Sequence, residues 1–185
     1  MEPVVVSALL PPAPARQPVV RPSDVGGRAA WQVLVRGGAL RAVVDDAAVP
    51  VGVAVTAEVR GAALAPRVPA GAVVTGPSAV WVHCGGALPE PLDLVRRTGT
   101  LRLASDCTWL GGVRVTAVGR TVVDVATRLP HEQALGLVLE LARGGADLAA
   151  AARFLERRNR VVGRPAARAV LAAARERLAA AAAGP

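Results

Sequence analysis

The chain contains no lysine, no isoleucine and no tyrosine, and only 2% of its residues are aromatic. Each absence removes chemistry. Without lysine there is no P-loop, whose lysine reaches the nucleotide phosphates. There is also no kinase-type ion pair, no Schiff-base amine and no lysine-dependent nuclease centre. Without tyrosine there is no tyrosine nucleophile. Trp31, Trp81 and Trp109 accompany a single phenylalanine, so they are expected to anchor packing. Cysteine and histidine are scarce too: His83, Cys84, Cys107 and His131 are the whole set. Their spacing fits no zinc finger or ribbon, so no metal and no cofactor are expected. The two cysteines read as small buried apolar residues rather than a disulfide. No apolar run reaches the roughly 18 residues of a membrane span. The start, MEPVVVSALLPPAPA, has no basic lead and its apolar run stops at Pro11, so it does not read as a signal peptide. The expectation is a soluble, cytoplasmic protein with no membrane partner.

What is present is 185 residues, 52% of them apolar, enough for one domain or two small ones with a real core. The abundance of Ala, Val and Arg reads as the codon skew of a GC-rich bacterial genome. Residues 1–22 hold six prolines and form an irregular lead-in. Ser23 or Asp24 can cap a helix running to about Arg36, with Ala30, Val33 and Leu34 facing inward and Gly37-Gly38 ending it. Leu40, Val43, Val44, Val51, Val53 and Val55 predict two short strands around Asp45-Asp46, with a break at Pro50. A helix, a glycine turn and a β-hairpin follow the order of a winged helix-turn-helix, one that many small α+β domains share.

Beyond this, 57–70 predicts a helix up to Pro66, and Thr75 or Ser78 can cap the next, SAVWVHC, which Gly85-Gly86 stops. PLDLVRR, TLRLAS and GGVRVTA alternate in polarity and predict strands, with a hairpin turn at Gly111-Gly112. VGRTVVDVATRL places Val118, Val122, Val125 and Leu129 on one helical face, and Arg120 pairs with Asp124 one turn on. HEQALGLVLELAR gathers Leu135, Val138, Leu139 and Ala142. Asp147 caps a following helix, and Pro165 starts a last one that ends at Gly184. The fold class is α+β: a reduced winged helix-turn-helix over 23–56, then a mixed domain over 57–185 with a small antiparallel sheet and C-terminal helices.

Three segments carry a family likeness. GAVVTGPSAVWVH and GGVRVTAVGRTVVDVATRLPHEQAL resemble the second-helix region and the following strand, turn and helices of AbiEi-type antitoxins of type IV toxin–antitoxin systems, and VRGGALRAV resembles their winged-helix tail. The likeness covers about residues 23–178. It implies a winged-helix DNA-binding domain, repression of the protein's own operon, neutralisation of a nucleotidyltransferase-like toxin, and no enzymatic activity. Longer members continue into a Vsr-like endonuclease domain, and the chain is read as the short form without it. The partners implied are operator DNA and a toxin protein. The alternative is a non-catalytic interaction module, a remnant of a nuclease-fused relative that no longer binds DNA. The acidic Asp45-Asp46 of the wing and the proline-rich lead-in favour that alternative.

In the recognition helix so implied, Arg28, Gln32 and Arg36 sit four apart, with Arg41 just beyond; Arg and Gln can read G and A edges, and arginines hold phosphates. The alternative is a solvated helix face. The formal charge of +8 is uneven: residues 1–60 hold six Arg against five acids, 61–150 eight against seven, and 151–185 eight against two. The excess lies in the last helices, where Arg153, Arg157, Arg160, Arg164 and Arg168 form a candidate basic surface for nucleic acid or an acidic partner. His83 and Cys84 are neighbours but point differently on a helix, so packing or capping outweighs catalysis. Nothing in the sequence brings Asp124 together with Asp93 or Asp106.

Overall fold

The computed structural model describes residues 18–96, 104–158 and 161–183. The chain is mixed α+β. A 3-10 turn, Pro22–Val25, precedes helix α1 (Arg28–Arg36) and a hairpin of β1 (Leu40–Val44) and β2 (Ala47–Pro50). Then come α2 (Ala57–Leu64), β3 (Ala72–Val74), α3 (Gly76–Cys84), β4 (Leu94–Arg96), β5 (Cys107–Leu110), β6 (Val113–Thr116) and four helices: α4 (Val118–Arg128), α5 (His131–Arg143), α6 (Leu148–Arg157) and α7 (Arg164–Ala183).

Helix α1 is shorter than its periodicity predicts. Asp24 accepts the backbone N–H of Arg21 at 2.8 Å and closes a separate turn. Gly26 and Gly27 then take positive φ, which ends that turn before α1 begins. The inward face also differs. Trp31 is 5% exposed and packs with Leu40 and Ala48, whereas Val33, two residues on and so about 200° round the helix, is 67% exposed. The bulkiest apolar side chain sets the helix's rotation. The second strand ends at Pro50, leaving Val51 exposed and Val53 and Val55 outside it. The end of the lead-in is tied down: Val20 exchanges two backbone hydrogen bonds with Ala48, and Arg21 donates to the carbonyls of Ala62 and Ala63. The predicted start of the lead-in, up to residue 17, lies outside the described residues.

The second sheet has the order β4-β3-β6-β5. Both outer pairings are antiparallel, while β3 and β6 run parallel at the centre, joined by the crossover through α3. Strands β3 and β5 lie where no strand is expected from periodicity. Both are short; β3 takes its partners β4 and β6 from far along the chain, whereas β5 forms a tight hairpin with β6 across the expected Gly111-Gly112 turn. Of the predicted strand TLRLAS, residues 104 and 105 begin a 3-10 turn (Ala104–Asp106) and the rest lies outside the described residues. Helix α2 stops at Leu64, and Pro66 sits in a following 3-10 turn. Helix α7 is described to Ala183; Gly184 lies outside.

Two larger cores meet at α3. Ala79, Trp81 and Val82 pack with Leu64, Val74, Val113 and Val115, and with Val44 and Ala47 of the hairpin. Val80 faces instead the helical core built from Val122, Val125, Leu135, Val138, Leu155, Val170 and Leu171. A helix buried on both sides needs apolar residues all round, which is why SAVWVHC shows no clean helical period. The approach of α2 to the β5–β6 turn depends on glycine: a Cβ on Gly61 would lie 2.1 Å from the Leu110 carbonyl oxygen. The Glu58 carboxylate accepts the N–H of Gly111 at the same contact.

Candidate nucleic-acid interface

Helix α1 stands on its small core with its outer face free. Arg28 and Arg36 are exposed and Gln32 is half-buried beside them, all within about 80° of arc. Ala29 and Val33 are exposed on the adjoining arc. The Arg28 guanidinium lies 5.7 Å from the Trp31 ring centroid, a cation–π contact that steadies it. Among the described residues no carboxylate pairs with Arg28 or Arg36. Arg41 is exposed on β1, but its Nη2 donates to the Val53 carbonyl at 2.6 Å, so one edge of its fork is occupied holding the segment after β2. The hairpin turn is acidic: Asp45 is exposed, and Asp46 lies 3.4 Å from Arg21.

The second candidate surface is largely self-paired. Arg168 makes two hydrogen bonds with Glu156, at 2.8 and 2.6 Å; this holds the Glu156 carboxyl below its usual range and pushes the Arg168 guanidinium up. Arg153 lies 3.6 Å from Asp147, which also accepts the N–H groups of Ala149 and Ala150 and caps α6 as expected. Those bonds, the Ala150 one foremost, pull the Asp147 carboxyl down. Arg164 donates to the Arg158 carbonyl, and Arg177 lies 3.8 Å from Glu132. Among the described residues Arg157 is exposed with no ion-pair partner. Arg160 lies outside the described residues.

The carboxylates that the sequence leaves apart are brought together at one buried centre. Asp106 and Asp124 are 0% and 3% exposed, and Arg120 lies between them. Its Nε donates to Asp124 Oδ1 at 2.8 Å, and its Nη1 lies 3.6 Å from Asp106 Oδ2. Thr75 Oγ1 donates to the other Asp124 oxygen at 3.2 Å, instead of capping α3. That cap falls to Asp93, which accepts the N–H and the hydroxyl of Ser78. Arg158, at the end of α6, reaches Asp106 with bonds of 2.5 and 2.7 Å and stacks on Phe154 at 4.4 Å. The cluster thus joins the strand-end turn, α3, α4 and α6. With both carboxylates engaged by guanidinium groups, it does the work of a structural clamp rather than of a general acid and base.

His83 is a packed hydrogen-bond donor. Its Nε2–H donates to the Thr116 carbonyl at 2.8 Å, and burial, followed by the charge of Arg60, keeps its pKa below the ordinary imidazole value against the pull of that hydrogen bond. Arg60 donates to the carbonyls of Val55, Val82 and His83 and so closes the C-terminal end of α3. Burial raises the neighbouring Cys84 thiol, which keeps it protonated. Neither Arg60 nor Arg158 could have been found from local pattern, since each acts on carbonyl or carboxylate groups more than twenty residues away. Among the described residues no three of His, Cys, Asp and Glu gather as a metal ion requires, and no helix is long and apolar enough to cross a membrane. No protein-family model matches the chain, and neither does any curated protein or solved structure.

Proposed function

We propose that the chain is a cytoplasmic, non-enzymatic DNA-binding regulator of the AbiEi-like antitoxin kind, reading duplex DNA with the outer face of α1. The observation that carries the reading is the contrast in arginine pairing: Arg28 and Arg36 keep their charge free on one exposed face with Gln32. The turn before α1 and the β1–β2 hairpin after it are read as a reduced winged-helix unit. Arg28 and Arg36 can each present a fork to guanine, Gln32 can address adenine, and Arg41 can hold a phosphate with the part of its fork left over. In this reading the protein represses its own operon and counteracts a nucleotidyltransferase-like toxin, as the family resemblance implies.

The test is fluorescence anisotropy with labelled duplex from upstream of the protein's own gene. Binding should weaken steeply with salt, and Arg28→Ala and Arg36→Ala should each shallow the log–log salt slope by about one. Absent or salt-insensitive binding overturns the DNA reading. It then leaves the interaction-module alternative, which the exposed Asp45 at the hairpin turn favours because a carboxylate there repels phosphate. The antitoxin half is tested by co-expression with an adjacently encoded nucleotidyltransferase-like protein; growth arrest that this chain does not relieve overturns it.

A further inference from the structure

A half-buried arginine is unsatisfied for a different reason. Arg114 sits in β6 directly across from Trp109 of β5, and its guanidinium lies 5.3 Å from the indole centroid. Its Nε is shielded from solvent and has no hydrogen-bond partner, and among the described residues its guanidinium makes no other hydrogen bond or ion pair. Other half-buried guanidinium groups find acceptors: Arg21 and Arg60 take carbonyls, Arg158 takes Asp106, and Arg164, whose Nε is also shielded and unpartnered, still donates through Nη2 to the Arg158 carbonyl. Arg114 borders a groove of about 380 Å³ whose far wall is the 65–72 segment, with Val68, Pro69, Ala72 and Val113 as its apolar lining. No carboxylate lines it.

We infer that this groove is a docking site for an extended segment of a partner protein that presents an Asp or Glu carboxylate beside an apolar side chain. The stacked guanidinium is held with its fork pre-oriented, and a carboxylate satisfies two of its donors at once. The apolar walls accept the neighbouring side chain, and Trp and Arg are both enriched among the residues that dominate binding energy at interfaces. A nucleic-acid backbone fits less well, because the groove offers one cation where phosphate tracking needs several. The groove lies on the sheet and is independent of α1, so this inference stands or falls separately from the DNA reading.

The experiment pans the full chain against phage-displayed random dodecapeptides and measures the enriched sequences, as labelled peptides, by anisotropy. Enriched peptides should pair an acidic with an apolar residue. Arg114→Gln should weaken them at least about tenfold, the counterpart of one charge-assisted pair. Arg114→Lys should fall between, since it keeps charge and loses the fork. Arg143→Gln, at an exposed arginine outside the groove and both candidate surfaces, serves as the control and should change nothing. Circular dichroism checks that each variant is folded. The inference is overturned if no sequence is enriched above the naive library, or if enriched peptides bind Arg114→Gln as tightly as the parent. It is equally overturned if N-acetyl-leucine alone binds the groove as tightly as the peptides, which would make it a small-molecule site.

Discussion

Arg36 and Arg168 both stand exposed on the outside of helices, and they use their charge in opposite ways. Arg168 spends it on Glu156, whereas Arg36 has no partner among the described residues. The contrast holds for the regions around them. The last helices carry most of the formal excess of positive charge, yet Arg153, Arg168 and Arg177 each lie near a carboxylate, and Arg164 and Arg175 donate to carbonyls. The α1 unit is nearly neutral by count, yet among the described residues its Arg28 and Arg36 have no carboxylate partner, a state that Arg157 shares in the last helices. Under the proposed DNA reading, charge totals alone are a poor guide to the interface, because a guanidinium already forked onto a carboxylate releases no counterion from DNA.

The same comparison separates buried from surface pairing, and mutation should break it most visibly at the buried centre. Asp106→Ala leaves Arg120 and Arg158 facing an uncompensated site and should cost about 3–5 kcal/mol, measured by urea denaturation. Glu156→Ala, at the exposed pair on α6, should leave the midpoint unchanged within error. Equal losses in the two variants would erase the distinction. Next in size, Gly61→Ala forces α2 away from the β5–β6 turn and should cost about 1–3 kcal/mol in the same measurement. Gly136→Ala, on an exposed helical face where an added Cβ meets nothing within 4 Å, should be neutral or stabilising.

At the surface, Arg36→Gln should weaken duplex binding about tenfold at low salt, while Arg168→Gln should not change it. The reverse ranking would return the interface to the C-terminal helices. The smallest expected effect is in pH. His83 is held neutral by burial, so its folded pKa lies below the unfolded value of about 6.5. Its contribution is fully present above that value and is lost as pH falls from there through the folded pKa. His83→Gln, which keeps a donor for the Thr116 carbonyl, should flatten stability against pH below about 6.5, as followed by thermal melts.

Much of the helical part was legible. The spacing of Val122 and Val125, and of Leu135, Val138 and Leu139, placed the faces that form the main core. The Asp147 cap and the Arg120–Asp124 pair were also legible, because caps and one-turn pairs are local. Val33 was misassigned because three apolar residues at helical spacing do not say which of several overlapping faces the tryptophan will claim. Strand β3 was hidden in AVV, too short to show alternation.

By itself, the sequence determined the absence of lysine and tyrosine chemistry, the helix periods, the glycine turns and the total charge. These depend on residue type and on neighbours within about one turn. Only the tertiary structure decided that Asp106 and Asp124 share Arg120, that Thr75 serves Asp124 and not its own helix, and that Arg114 meets Trp109 without an acceptor. It also decided which arginines keep their charge free. Electrostatic partners are set by distance in space, and in this chain the α3 crossover and the return of α6 bring together groups that lie some fifty residues apart.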